Sequence, residues 1–249
     1  MFAFDAATDG SFGLAVSSHT YAHTCSGADR FLVVAVLGET GFSDATGALI
    51  TGVTYNGVAA TLWGQRCQGD NGGAPTSDRW CYFWYLVAPD TGTHDVVITA
   101  PIAISAIGSV CASYTGFDSL DAVSTDFALA LAANTDFPNT LTTVANNCWT
   151  ILVAMDNAST APTAGSGTTS RISSAALGLA ILDSNGTVGA AGAKSLHVEC
   201  TALADWAGII GSIVPTAGGG GGGGKPTPYY AQQARQWRRS ASSGLWTRR

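Results

Sequence analysis

Charge is what this chain has least of: Asp, Glu, Lys and Arg make up 11% of its 249 residues, less than half the roughly 25% usual for soluble proteins. Together with abundant Ala, Gly, Ser and Thr, that scarcity points away from a cytosolic enzyme and toward an extracellular or particle-bound β protein. Long apolar runs are missing as well. No strictly apolar stretch is longer than residues 31–37, which fall far short of the ~20 residues a membrane helix needs, so no membrane segment is expected. Residues 1–13 hold two aspartates and no Lys or Arg, which is not the charged and then apolar pattern of a secretory signal. Export by another route, or as part of something larger, is the expectation.

The six cysteines (Cys25, Cys67, Cys81, Cys111, Cys148, Cys200) include no C-x-x-C and no paired Cys/His spacing, which speaks against zinc. Most lie in apolar runs and read as small buried hydrophobes. Cys67 and Cys81 flank the loop 68–80. If their strands form a hairpin they would sit opposite one another and could be bonded; two free thiols are the alternative. No G-x-S-x-G occurs, and His19, His23, His94 and His197 show no spacing of a base or ligand set. His19 and His23 would align two ligands on a helix, but residues 15–25 read as strand or loop. Asp118 with Asp121, and Asp70 with Asn71, offer hard oxygen ligands for calcium, yet Asx turns explain them more simply. The glycine run lacks the G-x-x-x-x-G-K-[ST] ending of a phosphate cradle. No catalytic, cofactor-binding or metal residue is expected, and no enzymatic activity.

What the chain does have is a division. Residues 218–224 are seven consecutive glycines, which no packed domain can bury, because each loses maximal backbone entropy and offers no side chain to a core. They read as a tether between a body, residues 1–217, and a tail, residues 225–249. The tail carries six of the eleven Lys and Arg (Lys225, Arg235, Arg238, Arg239, Arg248, Arg249) and no acid. The other five basic residues face all seventeen acidic ones in the body, so the body stands at −12 and the tail at +6. The two parts should meet different partners.

Strand signals run through the body as short β-branched and aromatic stretches between Gly, Asn, Asp and Pro. Candidates are 13–18, 30–38, 52–55 with 58–65, 80–88, 94–99, 104–115, 140–144 with 148–155, 177–182, 196–201 and 206–214, about ten to twelve strands. Asn56-Gly57 between apolar pairs predicts a type I′ hairpin turn. Residues 31–37 and 149–155, nearly all apolar, predict central strands covered on both faces, whereas 104–114 alternates with Ser105, Ser109 and Ser113 and predicts a half-exposed strand. Residues 126–133 suit either two helical turns capped by Asp126 or a crossing loop. In 80–85, Trp80, Tyr82 and Trp84 share one face and Cys81, Phe83 and Tyr85 the other, so these rings are core rather than a sugar-stacking platform. The fold class is all-β: an antiparallel β-sandwich, jelly-roll-like, with a glycine-tethered C-terminal extension.

One ordered set of motifs carries a family likeness: Gly27-Ala28-Asp29-Arg30-Phe31-Leu32-Val33-Val34, then Val53-Thr54-Tyr55-Asn56-Gly57-Val58, then Trp84-Tyr85-Leu86 with Gly92-Thr93-His94-Asp95-Val96-Val97, then Trp149-Thr150-Ile151-Leu152-Val153, and last Asp205-Trp206-Ala207-Gly208. Across residues 11–215 this resembles a β-sandwich domain of phage virion structural and decoration proteins and of bacterial surface proteins. The resemblance implies architecture and a structural or display role, and brings no catalytic residues. The glycine run and tail lie outside it.

In the tail, Tyr229, Tyr230, Arg235, Trp237, Arg238, Arg239, Trp246, Arg248 and Arg249 are the expected partner-binding residues, a mixture of Trp, Tyr and Arg enriched at interface hot spots. Six positive charges among aromatics would also suit nucleic acid, but a body at −12 opposes approach to a polyanion, so a protein surface is favoured. The expected function is that of a virion structural protein of capsid decoration, cement or head-fibre type, located on the particle surface. Its tail would grip the major capsid protein or a tail or neck protein, in many copies or as a homo-oligomer. The alternative is a carbohydrate-binding adhesin or receptor-binding module recognising host-surface glycans through loops such as 68–78 or 157–170.

Overall fold

Phe31–Glu39 shows how the body is built. Side chains alternate across a strand, so Phe31, Val33, Ala35 and Leu37 face one way and Leu32, Val34 and Val36 the other; all seven are apolar and each is at most 2% exposed. Such a strand is stable only with protein on both faces. The computed structural model describes residues 1–40, 49–67, 79–131, 136–157, 160–199 and 204–216, without the side chains of 126–131 and 204. Among these residues there are fifteen strands and no helix: β1 (Ala3–Cys25), β2 (Phe31–Glu39), β3 (Gly52–Tyr55), β4 (Val58–Ala59), β5 (Thr61–Cys67), β6 (Arg79–Val87), β7 (Gly92–Thr115), β8 (Phe117–Leu131), β9 (Asp136–Thr143), β10 (Trp149–Asp156), β11 (Thr163–Ala164), β12 (Thr169–Ser174), β13 (Leu179–Asp183), β14 (Gly192–Glu199) and β15 (Ala204–Pro215).

All strand pairs are antiparallel and form three sheets: β4-β3-β7-β2-β6-β5 with β1 on β7, β12-β13-β10-β15-β8, and β11-β14-β9. The first two face each other across a core of Phe31, Val33, Phe83, Val110 and Tyr114 against Ile151, Val153, Ile181 and Ile209. This is the all-β antiparallel sandwich that the sequence predicts. Both outward faces of the sandwich are covered too. The small third sheet lays Phe137, Leu141, Leu196 and Val198 over Leu152, Leu182, Trp206 and Ile210. On the other side, the first half of β7 with β3 and the second half of β1 packs Val53, Tyr55, Val96 and Ile98 over Leu32, Val34, Tyr82 and Trp84. The two edges of the sandwich approach one another, with the Arg171 guanidinium of β12 lying 4.9 Å over the Phe4 ring of β1.

The fold-over requires a bend, and a bulge supplies it. Between the pairs Val16↔Ile104 and Ser18↔Thr99, residues 100–103 of β7 stand against the single residue Ser17 of β1. Pro101 lies in this bulge, where no ladder N–H is required. Residues 94–99 and 104–115, two strands in the sequence reading, are therefore one 24-residue strand. The predicted strand 13–18 likewise lengthens to the 23 residues of β1. The half-exposed strand expected at 104–114 is corrected by the same geometry. Only Ser105 of its serines is exposed; Ser109 and Ser113 are buried beneath β1. Their hydroxyls are satisfied by the Ala35 carbonyl and the Asp5 carboxylate, each at 2.8 Å. Residues 126–131, read as helix or loop, continue β8 along β15.

Cys67 and Cys81 are not partners. The register sets Cys67 against Trp80 and Arg66 against Cys81, and an offset of one residue turns the two thiols to opposite faces of the sheet. Both are buried thiols outside any disulfide, as are Cys25, Cys111 and Cys148. Burial pushes the Cys111 thiol up to about 12 and that of Cys148 to about 11, so neither is a thiolate at neutral pH.

Candidate functional site

The nine tail residues singled out for partner binding (Tyr229, Tyr230, Arg235, Trp237, Arg238, Arg239, Trp246, Arg248 and Arg249) lie outside the described residues, as do the glycine run and the loop 68–78. Among the described residues of the body there is an open groove of about 380 Å³ on the outer side of the fold-over layer. It is lined by Thr54, Asn56, Gly57, Thr93, His94, Asp95 and Val97.

The backbone fixes this groove before any side chain does. Asn56 and Gly57 have φ of 48° and 75°, the two positive values that a type I′ turn needs and that Asn and Gly adopt most readily. The turn is closed by the Tyr55↔Val58 pair and is tied to β7 by the Asn56 N–H donating to the Asp95 carbonyl at 3.1 Å. Thr54 pairs with Val97 across the ladder, and Val97 with Thr20 of β1. Alternation along β7 sends Val96 and Ile98 into the core and leaves Thr93, Asp95 and Val97 facing out.

Side-chain hydrogen bonds then hold the rim. The Asn56 amide nitrogen donates to Asp90 Oδ2 at 2.8 Å, leaving its oxygen as a fixed acceptor. The Thr93 hydroxyl is 2.7 Å from that of Thr24. On the opposite, core-side face of β7, His94 Nε2 stands 3.0 Å from the Thr91 carbonyl, a bond that needs the proton on Nε2. Its ring meets Tyr55 edge-on, centroids 5.5 Å apart at 88°.

Behind the groove is a buried polar cluster. Tyr55 is 1% exposed, and its hydroxyl donates to the Gly92 carbonyl at 2.8 Å. His23, also 1% exposed, lies opposite His94 in the β1–β7 ladder and pairs through Nδ1 with Thr8 Oγ1 at 2.9 Å, while Nε2 has no partner. Burial pulls its pKa down to about 4, against a smaller upward pull from Asp5. Burial alone would raise the Asp5 carboxyl, but hydrogen bonds from the Ser26 hydroxyl and N–H and from the Ser113 hydroxyl outweigh it and hold Asp5 below its usual value.

The other side chains weighed in the sequence serve the frame. His19 and His23 are held apart by their own bonds, His19 Nε2 to the Gly10 carbonyl at 2.8 Å. Asp121 accepts from the Ala145 N–H at 2.9 Å and the Ser212 hydroxyl at 2.8 Å, clamping the turn after β9 in the manner of a loop-bracing aspartate. His197 Nδ1 and Asp136 Oδ2, 2.6 Å apart, join β14 to β9. Among the described residues no group of three or more His, Cys, Asp and Glu is placed to hold a metal ion.

The sequence marked Asn56-Gly57 as a turn and missed the groove. Thr54, Thr93, His94 and Asp95 come from strands whose pairing is set by partners some forty residues away, and no local spacing announces them. No protein-family model matches this chain, and no curated protein matches its sequence.

Proposed function

We propose that this chain is a displayed structural protein of a phage virion, of capsid decoration, cement or head-fibre type. In this reading residues 225–249 grip a virion protein and the β-sandwich is held outward on the glycine tether. The observation that carries it is the charge partition at residues 218–224, −12 before and +6 after. A tail rich in Arg and Trp is suited to a protein surface with acidic and apolar pockets. Its entropy of ordering is offset when many copies are presented on a symmetric shell. The body suits display: three apolar layers cover both faces of both main sheets, and such packing resists local opening.

Attachment involves no turnover, so the test is retention. The full chain and a chain ending at residue 217 are mixed with particles lacking this protein and sedimented. The full chain should pellet with the particles, and the truncated chain should stay in the supernatant with its β-sheet circular dichroism intact. A truncated chain that still pellets would place the binding surface on the body and overturn the proposal.

A further inference from the structure

The groove at the β3–β4 turn has a chemistry of its own, and it does not depend on how the chain is attached. Its seven lining residues include no Lys or Arg, so an anionic ligand would find no counter-charge. Asp95 is the sole carboxylate among them, whereas calcium takes 6–8 oxygen ligands. Val97 is the sole apolar side chain, too little for a hydrophobic ligand. What remains is a set of acceptors and two-way hydroxyls: the Asp95 carboxylate, the oxygen of Asn56, and the hydroxyls of Thr54 and Thr93. We infer that this groove binds a neutral saccharide, its hydroxyls meeting Asp95, Asn56, Thr54 and Thr93 and an apolar C–H face lying on Val97.

Preorganisation favours this use. The amide of Asn56 is oriented by its bond to Asp90, and the turn backbone is locked at positive φ. A ligand therefore meets groups whose ordering cost is already met. A hydroxyl donating to Asp95 makes a charge-assisted bond, the strongest single contact the groove can offer. Its volume of about 380 Å³ sits at the small end of ligand sites, which fits one or two sugar rings. Weak binding by one copy would be multiplied by display of many.

The test uses the fluorescently labelled full chain on an array of neutral, sialylated and sulfated oligosaccharides. A selective signal on neutral glycans is expected. It should fall at least about tenfold in Asp95→Ala, in line with loss of a hydrogen bond to a charged partner, and about threefold to tenfold in Thr54→Val, where the lost bond is neutral. It should persist in Thr140→Val, on the outer face of the third sheet. Asp95→Asn, of the same shape, replaces Asp95→Ala if the latter lowers Tm. No signal on any neutral glycan overturns the inference, as does a neutral-glycan signal that survives both groove variants. Binding confined to the acidic glycans overturns it too, since that is what the basic tail alone would give. Failure on the array leaves sedimentation of the full chain unchanged, so the attachment proposal falls or stands separately.

Discussion

Acid should destabilise this fold through His23 before the carboxylates matter. The imidazole is 1% exposed, Nδ1 is engaged by Thr8, and Nε2 faces no acceptor. A protonated ring would bury a charge and leave one N–H without a partner, which is why burial moves its pKa from 6.5 down to about 4. The folded pKa is depressed, so the unfolded chain takes up the proton first and stability rises with pH across the window. The contribution is fully present above pH 6.5 and is lost as pH falls toward 4. With 1.36 kcal/mol per unit, the loss is about 2 kcal/mol at pH 5 and about 3 kcal/mol at pH 4. The assay is urea unfolding at intervals from pH 7.5 to 5, on the full chain and on His23→Asn, whose amide can still meet Thr8. The native chain should lose about 2 kcal/mol over that range and the variant should be nearly flat. Equal slopes in the two proteins would refute the assignment.

Two further perturbations probe the frame. Arg171 grips Asp183 through two bonds of 2.6 and 2.9 Å, and the Asp183 side chain is 0% exposed. Arg171→Met leaves that buried carboxylate with the Asn185 N–H but without its charge partner and should cost roughly 3–5 kcal/mol in urea unfolding, while Arg171→Met with Asp183→Leu should recover most of the loss; a single-variant cost under about 1 kcal/mol would contradict the burial argument. Gly116 turns the chain from β7 into β8 at φ +76°, and an added Cβ would stand 2.2 Å from the Met1 carbonyl oxygen. Gly116→Ala should therefore lower stability by about 2 kcal/mol or more, seen as a drop in Tm, whereas an unchanged Tm would mean the N-terminus yields freely.

Much of the frame was legible because it is local. The apolar run at 31–37 and the nearly all-apolar run at 149–155 can only be two-sided strands, and β2 and β10 are buried along both faces. The parity of Trp80, Tyr82 and Trp84 against Cys81 and Phe83 gave both of their cores correctly. Asn56-Gly57 encodes its turn in two residues. What the sequence misread or left open is of another kind. Ser109 and Ser113 look like a wet face until β1, a hundred residues earlier, is laid over them. Cys67 and Cys81 read equally as a bonded pair or as two thiols until the register is known to the residue. Neither relation has a local physical cause.

The sequence by itself determined that the body is all-β, that its central strands lack a solvent face, and that acidic and basic parts are separated by a run of glycine, because strand periodicity, turn chemistry and charge are properties of neighbours in the chain. Only the tertiary structure decided where the 24-residue strand bends, which polar side chains are sealed in with His23, and that Thr54, Asn56, Thr93, His94 and Asp95 share one groove. Those outcomes rest on register and on which sheet covers which, and both are set by burying apolar surface between segments far apart in sequence.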